Sequence, residues 1–306
     1  MNDVPHVSVL VVSYRQEAYI QACLESVLGQ EFPAFEVVLC DDASPDATVA
    51  VARKLEGRWP HPLRILTAPV NGGITKNINR GLRACRGRYV AFLGGDDLAF
   101  PGKLAAQAAL LDARPEVALC YHDMEVFSDD GSVPRHLRSS THPPREGTAR
   151  DLVRHGNFIL GSDVMVRREA LPDQLPESIP WASDWLMNIE ASRHGSIAYI
   201  PRPLGGYRRH AGSVIQRGLA RKDPILTMDI VEARYPDLAR DARRRRGELE
   251  FHAAQRALRA GAVAEVAPMA RKALMDRMLW EPRRLAWLVA ASLGLLRQQR
   301  DARRGR

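Results

Sequence analysis

The first hundred residues alternate between short apolar runs and longer stretches with an apolar side chain every three or four positions. Val7 to Val12 (VSVLVV) is almost wholly apolar, as expected of a parallel strand covered on both faces. Ser13-Tyr14-Arg15 ends it, and Ile20, Leu24, Val27 and Leu28 follow at helical spacing. Phe35 to Cys40 predicts a second strand. The polar cluster from Asp41 to Asp46 closes it with turn and helix-start signals, and Thr48 to Leu55 continues as a helix. Leu63 to Leu66 is a third short strand, Asn71-Gly72-Gly73 a turn, and Ile74 to Ala84 a helix. Tyr89 to Leu93 is the fourth strand. Gly94 and Gly95 end it, and Pro101 opens a helical pattern carried by Leu104, Ala108 and Leu111. Strand and helix alternating at this spacing predict right-handed βαβ units on a parallel sheet, an α/β fold.

After Leu111 the order loosens. Val117 to His122 predicts a strand, with Met124 to Phe127 extending or pairing with it, and Ser128 to Thr148 reads as a long exposed loop rich in Pro, Ser, Arg and Gly. Ser162–Val166 and Ile197–Ile200 are further strands, and Ala182–Arg193 is helical. Past Arg217 the pattern turns to three helical stretches, at about 241–260, 263–279 and 282–299, punctuated by Gly261 and Pro282 with a kink at Pro268. The expected division is an α/β domain over 1–216 and a basic α-helical region over 217–306.

Charge follows that division. The 306 residues carry a formal net charge of +8, but 1–216 hold 23 basic and 25 acidic residues, and 217–306 hold 21 basic and 11 acidic. The basic character belongs to the tail and says little about the α/β part. No nucleic-acid recognition motif accompanies it, which argues against a nucleic-acid partner. The four cysteines, Cys23, Cys40, Cys85 and Cys120, have no C-x-x-C spacing, against a zinc ribbon or redox motif. With no signal-peptide pattern at Met1–His6 and no run near the ~20 apolar residues of a membrane span, a cytoplasmic protein is expected. Two tail features leave room for peripheral contact with anionic lipid: the run Arg243–Arg246, and Leu285–Leu296 with Trp287. Packing of the tail helices on the α/β domain is the competing expectation.

Asp96 and Asp97 follow the fourth strand, where open α/β sheets place their ligands. Two oxygen donors beside glycines can hold a hard cation bridging to a diphosphate; a solvated turn with one acid capping the next helix is the alternative. A nicotinamide dehydrogenase would need G-x-G-x-x-G after the first strand. Ser13-Tyr14-Arg15-Gln16-Glu17 stands there instead.

Taken in order, Val9–Tyr14, Val37–Ser44, Asn71-Gly72-Gly73, Asp96-Asp97 with Pro101 and Leu104, Ser183-Asp184-Trp185 and Tyr207–His210 form a series. That series resembles the inverting family 2 of glycosyltransferases, over roughly Val7 to Ser213. The resemblance implies a GT-A type doubly wound, mostly parallel sheet with a C-terminal α-helical appendage. It also implies transfer of a sugar from a nucleotide-sugar donor, UDP-linked by preference, to a saccharide or lipid-linked acceptor in surface polysaccharide or glycolipid synthesis. By that resemblance Ser13, Tyr14, Asp42, Gly73, Lys76, Asn77 and Asp96 lie at the donor nucleotide, with Tyr14 on the base and Asp42 accepting from a uracil N–H. Asp97 and His210 hold Mg²⁺ or Mn²⁺, and Asp184 is the general base. Capping near Asp42 then falls to Ser44 or Asp46, and Arg208 and Arg209 are further phosphate candidates. The chain departs from the family's commonest form at Gly94, where a further acid is usual. A catalytically inactive binding or assembly subunit is the alternative which that departure favours.

Overall fold

The computed structural model describes residues 4–213 and 218–260. They separate into two compact units, Met1–Asp223 and Pro224–Arg306.

The first unit begins with β1 (Val7–Ser13), α1 (Ile20–Leu28), β2 (Phe35–Asp41), α2 (Thr48–Arg53), β3 (Leu63–Thr67), α3 (Ile74–Ala84) and β4 (Tyr89–Gly94). Strands β3, β2, β1 and β4 lie side by side and parallel, with Val9 opposite Val37 and Ala91. Each strand is apolar on both faces for a visible reason. Val7, Val9 and Val11, with Val37, Leu39, Ala91 and Leu93, face the core shared with α1 and α2. The alternate face takes α3, whose Gly81 lets the helix approach so closely that a Cβ there would lie 2.2 Å from Leu10 Cδ1. Chain order reverses between β1 and β4, so a crevice is expected at the carboxyl ends of these two strands.

The sheet then changes character. β5 (Leu98–Ala99) and α4 (Lys103–Ala113) precede β6 (Val117–Phe127), a single long strand that joins the two segments read separately in the sequence. The stretch 128–148 is not a plain loop: β7 (His136–Leu137) pairs with β6, and a 3-10 turn follows at Arg138–Ser140. Asp123 ties that turn down, accepting from Ser139 N–H at 3.0 Å. α5 (Ala149–His155) starts in a capping box between Thr148 and Asp151. β8 (Val164–Arg167) runs antiparallel between β4 and β6. α6 (Asp184–Ala191) precedes β9 (Ser196–Arg208), far longer than the four residues its apolar run suggests. Its first part runs parallel to β6; further on it also takes β5 as an antiparallel neighbour, Leu98 opposite Gly206. The whole order is β3-β2-β1-β4-β8-β6-β9-β5, parallel in the half that ends at Asp41 and Gly94 and mixed beyond it.

The described part of the second unit holds most of α7 (Asp223–Arg234), which the sequence pattern did not reveal, and α8 (Ala239–Arg259). All four consecutive arginines are paired within it, Arg244 most loosely, at 3.5 Å from Glu248. Arg243 meets Glu232 at 2.7 Å, Arg245 meets Glu248 at 3.0 Å, and Arg246 meets Asp229 and Glu232 at 2.8 and 2.6 Å. A basic run so engaged offers less to a lipid surface than its sequence suggests. Among the described residues no helix is long and apolar enough to cross a membrane. The expected helices at 263–279 and 282–299, and Leu285–Leu296, lie outside the described residues.

Gly87 marks a backbone contact that cannot yield. A Cβ there would sit 2.4 Å from Ser8 N and 2.7 Å from Val7 C. Gly87→Ala should therefore lower stability by about 1–3 kcal/mol in urea unfolding, whereas Gly131→Ala, where the Cβ meets nothing within 4 Å, should show only the smaller strain of its left-handed φ.

Candidate active site at the carboxyl ends of the parallel strands

The turns after β1 and β2 are built as one piece. Asp41, fully buried, accepts from Ser13 Oγ at 2.9 Å, from Ser44 N–H at 2.8 Å and from Ser44 Oγ at 2.6 Å. Ser44 Oγ in turn accepts from Arg15 N–H at 2.9 Å. Ser13 is therefore a structural anchor as well as a neighbour of the crevice. Tyr14 stands half-buried beside it, its ring 5.5 Å from the Arg15 guanidinium carbon. Asp46, not Ser44, serves the helix start, accepting from Thr48 N–H at 3.1 Å.

Asp42 reaches across to the next turn. Its carboxylate accepts from Gly72 N–H at 3.0 Å and Gly73 N–H at 2.8 Å, and Arg80 lies 3.7 Å away. Gly73, with φ of 89°, takes a backbone conformation that a side chain would strain. Two residues on, Thr75 Oγ1 donates to the Ile179 carbonyl and is hydrogen-bonded to Ser183 Oγ at 2.8 Å. Ser183 directly precedes Asp184. A continuous set of bonds thus runs from Asp42 through Gly73, Thr75 and Ser183 to the start of α6. Asn77 is buried, donating to the Cys40 carbonyl at 2.7 Å. Lys76 points outward, 3.4 Å from Glu177.

Asp96 and Asp97 divide their work. Asp97 is 3 % exposed; its Oδ1 accepts from Arg208 N–H at 2.9 Å and its Oδ2 from Ser162 Oγ. Burial, and then the charge of Asp96, push its carboxyl up to about 8. Asp96 is the more exposed, and its Oδ2 lies 2.9 Å from His210 Nε2. His210 therefore partners Asp96, not Asp97 with which the sequence reading grouped it. Arg208 clasps the turn from behind. Its Nε donates to the Asp96 carbonyl at 2.7 Å, it pairs with Asp129, and it lies over the rings of Phe127 and Tyr19 at 4.7 and 5.0 Å. So engaged, it holds the acids in place. Gly94 has little room for the acid usual in the family: a Cβ would lie 2.8 Å from Asp96 Oδ1 and 3.4 Å from Ser162 Oγ.

Sequence reasoning missed the group behind Asp97. Lys103 is 1 % exposed and donates to the Ser162 carbonyl at 2.5 Å. Burial brings its ammonium down to about 8. Asp163, fully buried, accepts twice from Leu160 N–H, and burial drives its carboxyl up to about 7. Both acids act on Lys103, and Asp184 acts on Asp163. The acids from three parts of the chain therefore share one electrostatic neighbourhood. Lys103 reads in the sequence as an ordinary helix-start lysine, and no local pattern marks Ser162 or Asp163.

Asp184 opens α6, part-buried, with Asn157 Nδ2 donating to its Oδ2 at 2.8 Å. Burial raises its pKa above the ordinary carboxylate value. The segment before it is fixed by Asp223, which accepts from Trp181 and Ala182 N–H at 2.8 Å each.

Among the described residues no three His, Cys, Asp or Glu side chains gather to hold a metal unaided. Asp96 and His210 nevertheless present an oxygen and a nitrogen 2.9 Å apart, a donor pair that suits a divalent cation whose other ligands come from phosphate and water.

A family model described as glycosyl transferase family 2 matches residues 8–174. The uncharacterized protein Rv1520 of Mycobacterium tuberculosis (strain ATCC 25618 / H37Rv) is 34% identical over 213 residues, 68% of this chain and 60% of the relative. The O-antigen biosynthesis protein RfbC of Myxococcus xanthus is 32% identical over 206 residues, 66% of this chain and 16% of that protein. The chain thus spans well under two thirds of either relative. Among solved structures, S. aureus TarS 1-349 in complex with UDP-GlcNAc superposes with a TM-score of 0.69 at 20% identity, covering 98% of this chain and 92% of TarS. That likeness establishes the fold, which is the expected GT-A type.

The raised carboxyl of Asp163 has a consequence for stability. An unfolded aspartate titrates near about 3.9, so between about pH 4 and pH 7 the folded protein keeps a proton that the unfolded chain has lost. Stability is therefore drawn down as pH rises through that window. Asp163→Asn should flatten the fall of stability between pH 4 and 7 by up to about 1.4 kcal/mol per pH unit, measured by urea unfolding at stepped pH.

Proposed function

The chain belongs to glycosyl transferase family 2, and on that premise we propose that it moves a sugar from a UDP-linked donor to a saccharide or lipid-linked saccharide acceptor, inverting the anomeric centre. The family relatives include an O-antigen biosynthesis protein, which favours surface polysaccharide or glycolipid as the product. The observation that carries the reading is the run of hydrogen bonds from Asp42 through Gly73, Thr75 and Ser183 to Asp184. It links the turn that carries Asp42 to the helix start that carries Asp184, which supports reading them, with Asp96 and His210, as parts of one site.

In this reading the face of Tyr14 packs on the base, a task suited to an aromatic ring. Asp42 reaches the base through the turn it organises, its carboxylate and the Gly72–Gly73 amides forming one polar edge. Asp96 and His210 hold the divalent cation, Mg²⁺ or Mn²⁺, at the diphosphate; when bound, the cation stabilises charge on the departing oxygens. Asp97 stands behind them as the buried anchor that Arg208 and Ser162 fix. Asp184 takes the proton from the acceptor hydroxyl as that oxygen attacks opposite the leaving diphosphate. Its raised pKa makes it a stronger base than an exposed aspartate.

Thermal shift with UDP and UDP-N-acetylglucosamine, with and without Mn²⁺, reads binding; UDP release reads chemistry. Asp96→Ala and His210→Ala should each lose the Mn²⁺-dependent part of the UDP shift. Asp184→Asn should keep that shift and slow UDP release by about 10²-fold or more. Wild-type UDP release by Asp184→Asn overturns the base assignment. Nucleotide binding with no release by the wild-type protein, to water or to an acceptor panel, favours the inactive binding subunit.

A further inference from the structure

Asp184 is a better-held carboxylate than the start of a helix requires. Its own helix start supplies the Trp185 N–H and the N–H of Asp184 itself, donors that a carboxylate opening a helix finds locally. A further donor comes from elsewhere. Asn157 lies in the segment between α5 and β8, and its Nδ2 donates to Asp184 Oδ2 at 2.8 Å. Asn157 is itself held: Asn188, one turn along α6 from Asp184 and fully buried, donates from Nδ2 to Asn157 Oδ1 at 3.4 Å. Among the described residues Asn188 Oδ1 has no donor, so the pair of amides is spent in one direction, toward the carboxylate. Gly156, with φ of 86°, allows the sharp exit from α5 that turns Asn157 back on α6.

We propose that Asn157, backed by Asn188, is a positioning residue for the general base: by holding Asp184 Oδ2 it sets the orientation in which the carboxylate meets the acceptor hydroxyl. The inference rests on Asp184 being that base and adds to it a requirement for an uncharged donor at position 157. An amide N–H stabilises the carboxylate without adding charge, so it holds the ionised form while burial works against it. The charged groups that act on Asp184 from its surroundings, Asp223 at the start of α7 and Asp163 before β8, are both acids and both oppose ionisation. Asn157 is thus the side chain that keeps the base available at neutral pH. The proton balance is simple. The acceptor O–H proton passes to the Asp184 carboxylate, the new C–O bond forms, and the donor C–O bond to the diphosphate breaks with its electron pair leaving on the diphosphate.

The test is the pH profile of UDP release from UDP-N-acetylglucosamine, with water as acceptor, in the wild-type chain, Asn157→Leu and Asn157→Asp. Leucine removes the donor at similar size; aspartate adds a like charge. The acid limb of the profile should move to higher pH by about one unit in Asn157→Leu and further in Asn157→Asp. The Mn²⁺-dependent thermal shift with UDP should stay that of the wild type in both, which confirms an intact fold and nucleotide site. An acid limb unmoved in both variants overturns the proposal, as does a limb that moves only in Asn157→Asp, since bare charge would then explain it. Loss of the UDP shift in both variants overturns it too, because Asn157 would then serve the nucleotide side or the fold. Failure of the base assignment itself shows separately, as wild-type release by Asp184→Asn.

Discussion

A carboxylate buried at the end of a strand has to be hydrogen-bonded, and the lone pairs of Asp97 set that demand for this fold. Its own neighbourhood cannot meet it. The donors are Arg208 N–H, 111 residues later, and Ser162 Oγ, 65 residues later. Satisfying them obliges β9 to run on past the main sheet and fold back over the Asp96–Asp97 turn, where β5 pairs with it. Gly205 and Gly206 make that return possible, since a Cβ on either would lie within 3.0 Å of Met124, Leu98 or Phe127 atoms. Arg208 then finishes the closure by lying over Phe127 and Tyr19. The same strand that satisfies Asp97 brings His210 to Asp96. One unmet hydrogen-bonding requirement thereby accounts for the curl of the sheet and for the composition of its mouth.

The parallel half was legible because its strands are apolar on both faces, a run that few other structures explain. Tyr89–Gly94 and Ile74–Ala84 emerge within a residue of their reading. β9 was not legible beyond its apolar start. Pro201, Arg202 and Pro203 are exposed and interrupt the pattern where the pairing with β6 shifts register. A proline is tolerated in a strand at such an irregularity, so the breaker signal that would end a regular strand here marks only a bulge. Helix α7, apolar at Ile225, Leu226, Met228, Ile230 and Val231, escaped because it follows a polar stretch and opens on Asp223-Pro224, which reads as a break. The helix after the acid pair begins at Lys103, because Gly102 takes a left-handed φ of 82° that Pro101 cannot share with a first turn.

The site divides along the same line. Asp96 and Asp97 stand out by their place at the end of a strand, whereas Asp42 and Asp184 could be named only through the resemblance to the family. What supports them could not be named from the chain. Lys103 looks like any helix lysine until its ammonium is found against the Ser162 carbonyl between Asp97 and Asp163. Buried lysines are rare, and nothing in one sequence distinguishes the rare case. Asp42 shows the converse limit. Its position is that of a base-recognition acid, yet its carboxylate also builds the Gly72–Gly73 turn, and a side chain with two duties declares only one of them in the sequence.

Rigidity in the turns after β1 and β2 has its own cause. Arg15 and Ala43, neither of them glycine, have φ of 55° and 60°. Left-handed backbone costs an ordinary residue roughly 1–2 kcal/mol, and it persists only where surrounding bonds over-determine it. Here the two strained residues sit one after β1 and one after β2, and the same Asp41–Ser44 set restrains both: Asp41 holds Ser13 and Ser44, and Ser44 holds the Arg15 amide. Neither turn can relax without releasing the other. Tyr14 precedes one strained residue and Asp42 the other, so both side chains are presented from a backbone with little freedom to rearrange. A ligand that meets both would cost the protein less conformational freedom on binding than one held by flexible loops, so rigidity built into these two turns favours affinity before any contact is made.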